Sequence, residues 1–266
     1  MTDLSSLSLF FLIISLIISG YFAGLVGMPL GPIRIFFMLF FGVEALVVFG
    51  TNLAISFVMM SATVWNNFKA GRINFKLGII FFVFGVAGAY FGGLYSEVFS
   101  KDFLLWIVTI MIFISGLFIL KAVHFPKKND KQISNNSLIK TIFAGILNFI
   151  IGLLGGAVGM VLGALRYPVM VNYLKADAKS ASATNSSICL LAAAFAFIGH
   201  INMAGLSGNS HFDFKLFLPL SIAGFISSYI GSKHIGKFSN KSILRTLYIL
   251  LFIMGLLMIY RLIVQG

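Results

Sequence analysis

Charge is scarce in this chain. Only 10% of its 266 residues are charged, and only 7 are acidic, where a soluble domain carries roughly a quarter. With 59% hydrophobic residues and a mean hydropathy of +1.04, a water-soluble fold is excluded, because it could not hide this much apolar surface. The single cysteine, Cys189, rules out a disulfide framework and any paired-cysteine metal or redox motif, and reads as packing. Gly152–Gly163 is glycine-rich but lacks the Gly-Lys-Ser/Thr ending of a nucleotide loop. No hydrolase triad or zinc spacing occurs, so no cofactor, no metal and no enzymatic activity are expected. The start, Met1-Thr2-Asp3, has no Lys or Arg, and no small-residue cleavage site follows. The apolar stretch 4–26 is therefore read as a retained helix, not a secretion signal.

What is present is a series of long apolar runs, at about 4–26, 45–66, 77–96, 103–121, 139–162, 183–200, 215–232 and 243–264. They do not alternate with period two, so spanning helices are expected and not a barrel. The runs 183–200 and 215–232 are slightly short for a span of about 20 residues. Two further runs, 33–43 and 165–174, are too short to cross; at about 1.5 Å per residue they reach roughly half of a 30 Å hydrocarbon core. The expected fold is all-α and polytopic, with eight long spans and two short or re-entrant helices.

The net charge of +12 invites a nucleic-acid reading, but the basic residues sit between apolar runs, where the positive-inside rule accounts for them. All but Arg34, Lys101, Arg166, Lys215 and Arg261 fall in four regions: 69–76, 121–140, 175–179 and 233–245. Placing those regions in the cytoplasm leaves Asp3, Glu44, Glu97, Asp102 and Asp213 on the other side. Both termini are then extracytoplasmic, and each short run must count as a full or partial crossing.

The chain repeats itself. Gly24–Arg34 (GLVGMPLGPIR) returns 132 residues later as Gly156–Arg166 (GAVGMVLGALR), identical at seven of eleven positions. Thr51-Asn52 matches Thr184-Asn185, Glu44 matches Asp177, and Asn74-Phe-Lys-Leu77 matches Asp213-Phe-Lys-Leu216. Tyr90, Gly92 and Gly116 match Tyr229, Gly231 and Gly255. Residues 1–123 and 139–266 are thus expected to be two copies of one unit, joined by a cytoplasmic linker at 124–138. The charge map places loops 67–76 and 200–215 on opposite sides, so the copies are expected to be inverted, a plan common among secondary transporters.

Several residues stand out as chemistry. Gly27 and Gly31, with Pro29 and Pro32, interrupt the first helix; Gly155, Gly156, Gly159 and Gly163 interrupt its counterpart. A helix restarting after such a break turns amide N–H groups and a positive dipole end into it, which suits an anion; close helix packing is the plainer use of glycine, and is the reading taken for Gly85, Gly88 and Gly92. Arg34 and Arg166 open the two short runs. A guanidinium in the apolar zone is costly and suggests function, against the alternative of snorkelling to headgroups. Thr51, Asn52, Thr184 and Asn185, with Ser186 and Ser187, offer small polar groups either to a substrate or to neighbouring helices. Glu44 and Asp177 are expected to cap the helices they precede, as are Asn74 and Asp213. His200 and His211 are read as solvated loop histidines.

These motifs resemble the sulfite exporter TauE/SafE family of permeases. The carriers of the resemblance are Gly159–Pro168 (GMVLGALRYP) followed by Ala183-Thr-Asn185, and Gly27–Arg34 (GMPLGPIR) followed by Gly50-Thr-Asn52 and Gly71-Arg-Ile-Asn74. Pro29-Leu30 and Val161-Leu162 stand where the family usually has glycines, and the first half has no proline equivalent to Pro168. The resemblance implies a permease for small sulfur-containing anions, sulfite and organosulfonates among them. The expectation is a secondary transporter, an exporter, in the plasma membrane of a prokaryote. It would bind its anion between the breaks through Gly27, Gly31, Arg34, Thr51, Asn52, Gly159, Gly163, Arg166, Thr184 and Asn185. Its partners would be the lipid bilayer, a small anionic substrate and a coupling proton or sodium ion, with a homodimer left open and no nucleic acid. A passive anion channel is the alternative, and a membrane-embedded enzyme or assembly subunit a third.

Overall fold

Long apolar runs fold into helices in which every backbone group finds its partner locally, as lipid requires. The computed structural model describes residues 4–124, 138–174, 176–234 and 240–264. The first half comprises α1 (Ser6–Val26), α2 (Gly31–Phe40), α3 (Ala45–Lys69), α4 (Phe75–Leu94), a 3-10 turn (Ser96–Val98) and α5 (Lys101–His124). The second comprises α6 (Leu138–Ala157), α7 (Gly163–Pro168) running into a π-helical turn (Val169–Tyr173), α8 (Ala178–Ser207), α9 (Phe214–Lys233) and α10 (Asn240–Val264). No strand occurs among the described residues. Six helices (α1, α3, α4, α5, α8 and α9) are long and apolar enough to cross a membrane. The apolar stretches described within α6 and α10, Ile142–Ala157 and Leu251–Ile263, are shorter. Most of the 124–138 linker, and Asp3, Lys175 and Lys237, lie outside the described residues.

One boundary corrects the sequence reading. The run 183–200 looked short, yet α8 is 30 residues long. Its polar first turns, Lys179 to Ser187, hid its start. Asp177 sets that start by accepting a hydrogen bond from Ser180 N at 2.9 Å. Asn74 and Asp213 cap α4 and α9 in the same way. Glu44 precedes α3 but makes no capping bond; its carboxylate instead pairs with Lys101 at the surface.

Polarity is arranged inside out. Leu7, Phe10, Val83, Leu206, Leu256 and Ile263 face outward, while Arg34, Asn52, Asn148, Arg166, Asn185 and His200 are buried. An apolar exterior of this extent needs lipid around it.

The halves are interleaved. α4 packs along α6 and α8, which belong to the second half, and α9 packs along α1 and α3, which belong to the first; α3 meets α8, and α5 meets α10. Small residues let the backbones approach. A side chain at Gly88 or Gly92 would collide with Phe149 or Leu153 backbone on α6, and one at Gly24 or Gly231 with the opposing backbone of α9 or α1. Gly85, Gly88 and Gly92 therefore serve packing. Gly156, expected in the break, also lies inside α6 against Ala89.

Two like hydrogen bonds tie α9 to α3 and α4 to α8, one each. Asp213 N, at the start of α9, donates to Thr51 Oγ1 of α3 at 3.0 Å. Asn74 N, at the start of α4, donates to Thr184 Oγ1 of α8 at 2.9 Å.

Candidate functional site

The two chain breaks are seated against opposite halves. Gly27 closes α1 in the left-handed conformation, φ 71°, its N–H donating to Ala23 O; a Cβ there would come within 2.7 Å of Ser182 on α8. Gly159 has φ 67°, and a Cβ there would lie 2.2 Å from Phe49 Cα on α3. Only glycine meets both demands, positive φ and close backbone approach. Phe49 and Ser182 each lie two positions before a Thr-Asn pair, Thr51-Asn52 and Thr184-Asn185.

Each restart carries its arginine inward. Arg34 is 2% exposed and Arg166 is 1% exposed, so neither snorkels to headgroups. Arg34 donates from Nε to Asn52 Oδ1 at 2.7 Å and from Nη2 to Ser56 Oγ at 2.6 Å, and Nη1 lies 3.3 Å from Met59 Sδ. Asn52, Ser56 and Met59 recur at four- and three-residue intervals on one face of α3. Arg166 donates from Nε to Asn148 Oδ1 on α6, and its Nη1 lies 3.4 Å from Asn185 Oδ1 and 3.5 Å from Cys189 Sγ. Met59 has no polar counterpart in the second half, where Ala192 takes its place.

The asparagines stitch the breaks into the site. Asn52 Nδ2 donates to Gly159 O at 2.7 Å, and Asn185 Nδ2 to Gly163 O at 3.1 Å. Gly31 packs beside Asn52 and Met160, and Gly163 beside Cys189 and Asn185. A continuous path thus runs from Arg34 through Asn52 to Gly159, along the break to Gly163, and through Asn185 to Arg166. Thr51 and Thr184 border this path but face the starts of α9 and α4, where they hold backbone amides. The restart amides are used locally as well. Ile33, Leu165 and Arg166 donate to Leu30 or Leu162 carbonyls, and Gly163 to Val161 O. The formal positive charges at the breaks are the two guanidinium groups.

Neither guanidinium is paired with a carboxylate among the described residues; Lys101 pairs with Glu44, and His211 contacts Glu97. A buried ion without a counter-charge costs several kcal/mol, and hydrogen bonds to neutral amides and hydroxyls offset part of that. An anion at 4 Å would gain about 4 kcal/mol from each guanidinium at an effective dielectric constant of 20. The chemistry on offer is oxyanion recognition by planar forks. Among the described residues, no cluster of three His, Cys, Asp or Glu side chains could hold a metal.

The sequence reading missed Asn148, Ser56 and Met59. Asn148 had a signal, being a lone amide in an apolar run. Ser56 and Met59 become visible only once Asn52 is known to share their helix face. His200 and His211 are corrected outright. Both are buried, at 0% and 1% exposure, and their Nδ1 atoms are 2.9 Å apart.

A lipid-facing exterior around interleaved helices, with two interior cations at chain breaks, defines a polytopic membrane transporter. The chain belongs to the sulfite exporter TauE/SafE family, whose model matches residues 11–258. It is 28% identical to the probable membrane transporter protein YunE of Bacillus subtilis (strain 168), covering 92% of this chain and 96% of that protein. It is 26% identical to the probable membrane transporter protein MJ0441 of Methanocaldococcus jannaschii, covering 92% and 94%. The probable membrane transporter protein YdhB of Bacillus subtilis is 23% identical over 79% of this chain and 83% of its own length. No solved structure matches the chain.

Proposed function

We propose that this protein is a secondary transporter that exports a small oxyanion, sulfite or an organosulfonate, across a prokaryotic plasma membrane. The observation that carries the reading is the pair of buried guanidiniums, Arg34 and Arg166, held by neutral partners at the two breaks. The anion binds between them, with Asn52 and Asn185 orienting the arginines, Gly27, Gly31, Gly159 and Gly163 giving the backbone room, and Thr51 and Thr184 fixing the helices that frame the site. The family description, sulfite exporter, supports the substrate class and direction.

The two halves are inverted repeats with extracytoplasmic termini, and they exchange α4 and α9. The equivalent threonine bonds and the paired break contacts, Gly27 to Ser182 and Gly159 to Phe49, support this pseudo-symmetry. Alternating access then follows from rocking one half against the other. The test is flux into liposomes of purified protein, with sulfite, sulfate, an organosulfonate and acetate. Saturable flux that prefers the sulfur oxyanions is expected; conduction that does not saturate and ignores anion identity would mark a channel instead.

A further inference from the structure

A second polar cluster, buried at His200 and His211 and reaching the surface at Glu97, joins the break from another direction. Glu97 lies in the 3-10 turn after α4. Its carboxylate accepts from Ser207 Oγ at 2.7 Å and Asn209 Nδ2 at 2.9 Å, and lies 2.6 Å from His211 Nε2. His211 Nδ1 is 2.9 Å from His200 Nδ1, and Ser96 Oγ is 3.4 Å from the same His200 nitrogen. His200 Nε2 is 2.9 Å from Gly156 O. That carbonyl also accepts from Gly159 N at 3.3 Å, and Gly159 O accepts from Asn52, the partner of Arg34. One hydrogen-bonded chain therefore runs from an aqueous loop to the buried arginine.

The proton count follows from donor and acceptor rules. A carbonyl only accepts, so His200 Nε2 carries hydrogen. The Nδ1–Nδ1 contact needs one hydrogen between the rings. The short contact between His211 Nε2 and Glu97 needs another. With Glu97 ionised, two imidazoles hold three N–H protons, so the pair carries one more proton than two neutral rings. That proton has two seats. On His211 it rests against the Glu97 carboxylate; passed across the Nδ1–Nδ1 bond, it makes His200 the imidazolium, beside the Gly156 carbonyl.

We infer that Glu97, His211 and His200 form a proton relay that couples proton movement to anion occupancy of the break. The inference rests on the transport reading above and names its coupling ion. From the three-proton pair, with the extra proton on His200, the His200 Nε2 proton is released into the break when Gly156 O shifts away. Both rings are then neutral, His200 with its hydrogen on Nδ1 and His211 with its hydrogen on Nε2. A half-turn of each ring returns an N–H to face Gly156 O and an unprotonated nitrogen to face Glu97. A proton from water then enters at the Glu97 carboxylate, passes to that His211 nitrogen and restores the three-proton pair. The other titratable groups on the packed elements are placed elsewhere. Asp213 caps α9, the Tyr90 hydroxyl accepts from Asn202, Tyr95 is exposed, and Glu44 pairs with Lys101.

The test uses purified full-length protein in liposomes with methanesulfonate, whose charge is constant over the working pH range. A pH difference of one unit can drive about tenfold accumulation per coupled proton. Wild type is expected to accumulate the anion along the imposed gradient. Glu97→Gln and His211→Gln, each monodisperse in detergent, are expected to equilibrate it without accumulation. Variants that accumulate as wild type does would overturn the relay. Histidine-selective nitrogen NMR of the purified protein gives a readout free of transport. His200 and His211 are expected to share one N–H···N proton; two rings titrating independently near the ordinary value of about 6.5 would overturn the site. Wild-type vesicles that carry no anion while the NMR pair persists would remove the transport reading and leave the proton site. Accumulation indifferent to the pH gradient would do the reverse.

Discussion

Arg34 and Arg166 are equivalent in sequence but differently held, and the difference should show in mutants. Arg34 has Asn52 and Ser56 within 2.7 Å, both on α3. Arg166 relies on Asn148 of α6 for its short bond and reaches Asn185 only at 3.4 Å. Asn148→Leu should therefore weaken anion binding through Arg166, raising the half-saturating sulfite concentration about tenfold, the cost of one charge-assisted bond of roughly 1.5 kcal/mol. An unchanged saturation curve would show that Asn148 does not orient the arginine. Burial alone would raise the Glu97 carboxyl, but hydrogen bonds from Ser207, His211 and Asn209, with the His211 charge, outweigh it and hold the group below its ordinary 4.5. Such a group favours the folded state above its ordinary range, and that contribution is lost as pH falls through the lowered value. The melting temperature of Glu97→Gln in detergent should accordingly lie below wild type at neutral pH, the gap closing below about pH 4.5. A gap that widens in acid would mean that the carboxylate is not stabilised as described.

At the level of elements, the seating of α4 on α8 and of α9 on α3 depends on two hydroxyl anchors. Thr184→Val removes the acceptor of Asn74 N, a part-buried hydrogen bond worth about 0.5–1.5 kcal/mol; thermal unfolding in detergent measures it, and Thr51→Val should behave alike through Asp213 N. Equal stability in both variants would show that the anchors are incidental. Gly159→Ala should be worse, since it adds a left-handed penalty of about 1–2 kcal/mol to a collision with the Phe49 backbone. Loss of monodisperse protein on extraction is the expected result. Much of this was legible beforehand. The repeated Gly-Leu/Ala-Val-Gly-Met motif located both breaks, and Asn74, Asp177 and Asp213 announced three helix starts through ordinary capping chemistry. Helix pairing was not legible, because the small-residue faces of α4 (Gly85, Gly88, Gly92) and α9 (Gly224, Ser228, Gly231) announce close packing but do not say against which helix. His200 and His211 misled for a related reason. Eleven positions apart, they meet only because the chain after α8 folds back over the helix end, which no periodicity encodes.

For the whole molecule, the proposed inversion of the halves makes a prediction about sidedness. A cysteine at Ala70 and one at Ser210, both exposed, occupy equivalent loops and should react with a membrane-impermeant thiol reagent from opposite faces of the cell membrane. Labelling from one face only would contradict inversion. On the proposed function, the scarcity of charge, the lipid-facing exterior and the two interior cations belong to one design, in which the bilayer supplies the solvent and an anionic substrate would supply the missing negative charge. The most direct measurement is concentration-dependent sulfite uptake by liposomes holding wild type, Arg34→Ala or Arg166→Ala. Saturable wild-type uptake, lost in each variant while the protein remains monodisperse, is the predicted result; uptake that survives the loss of both arginines would contradict the account.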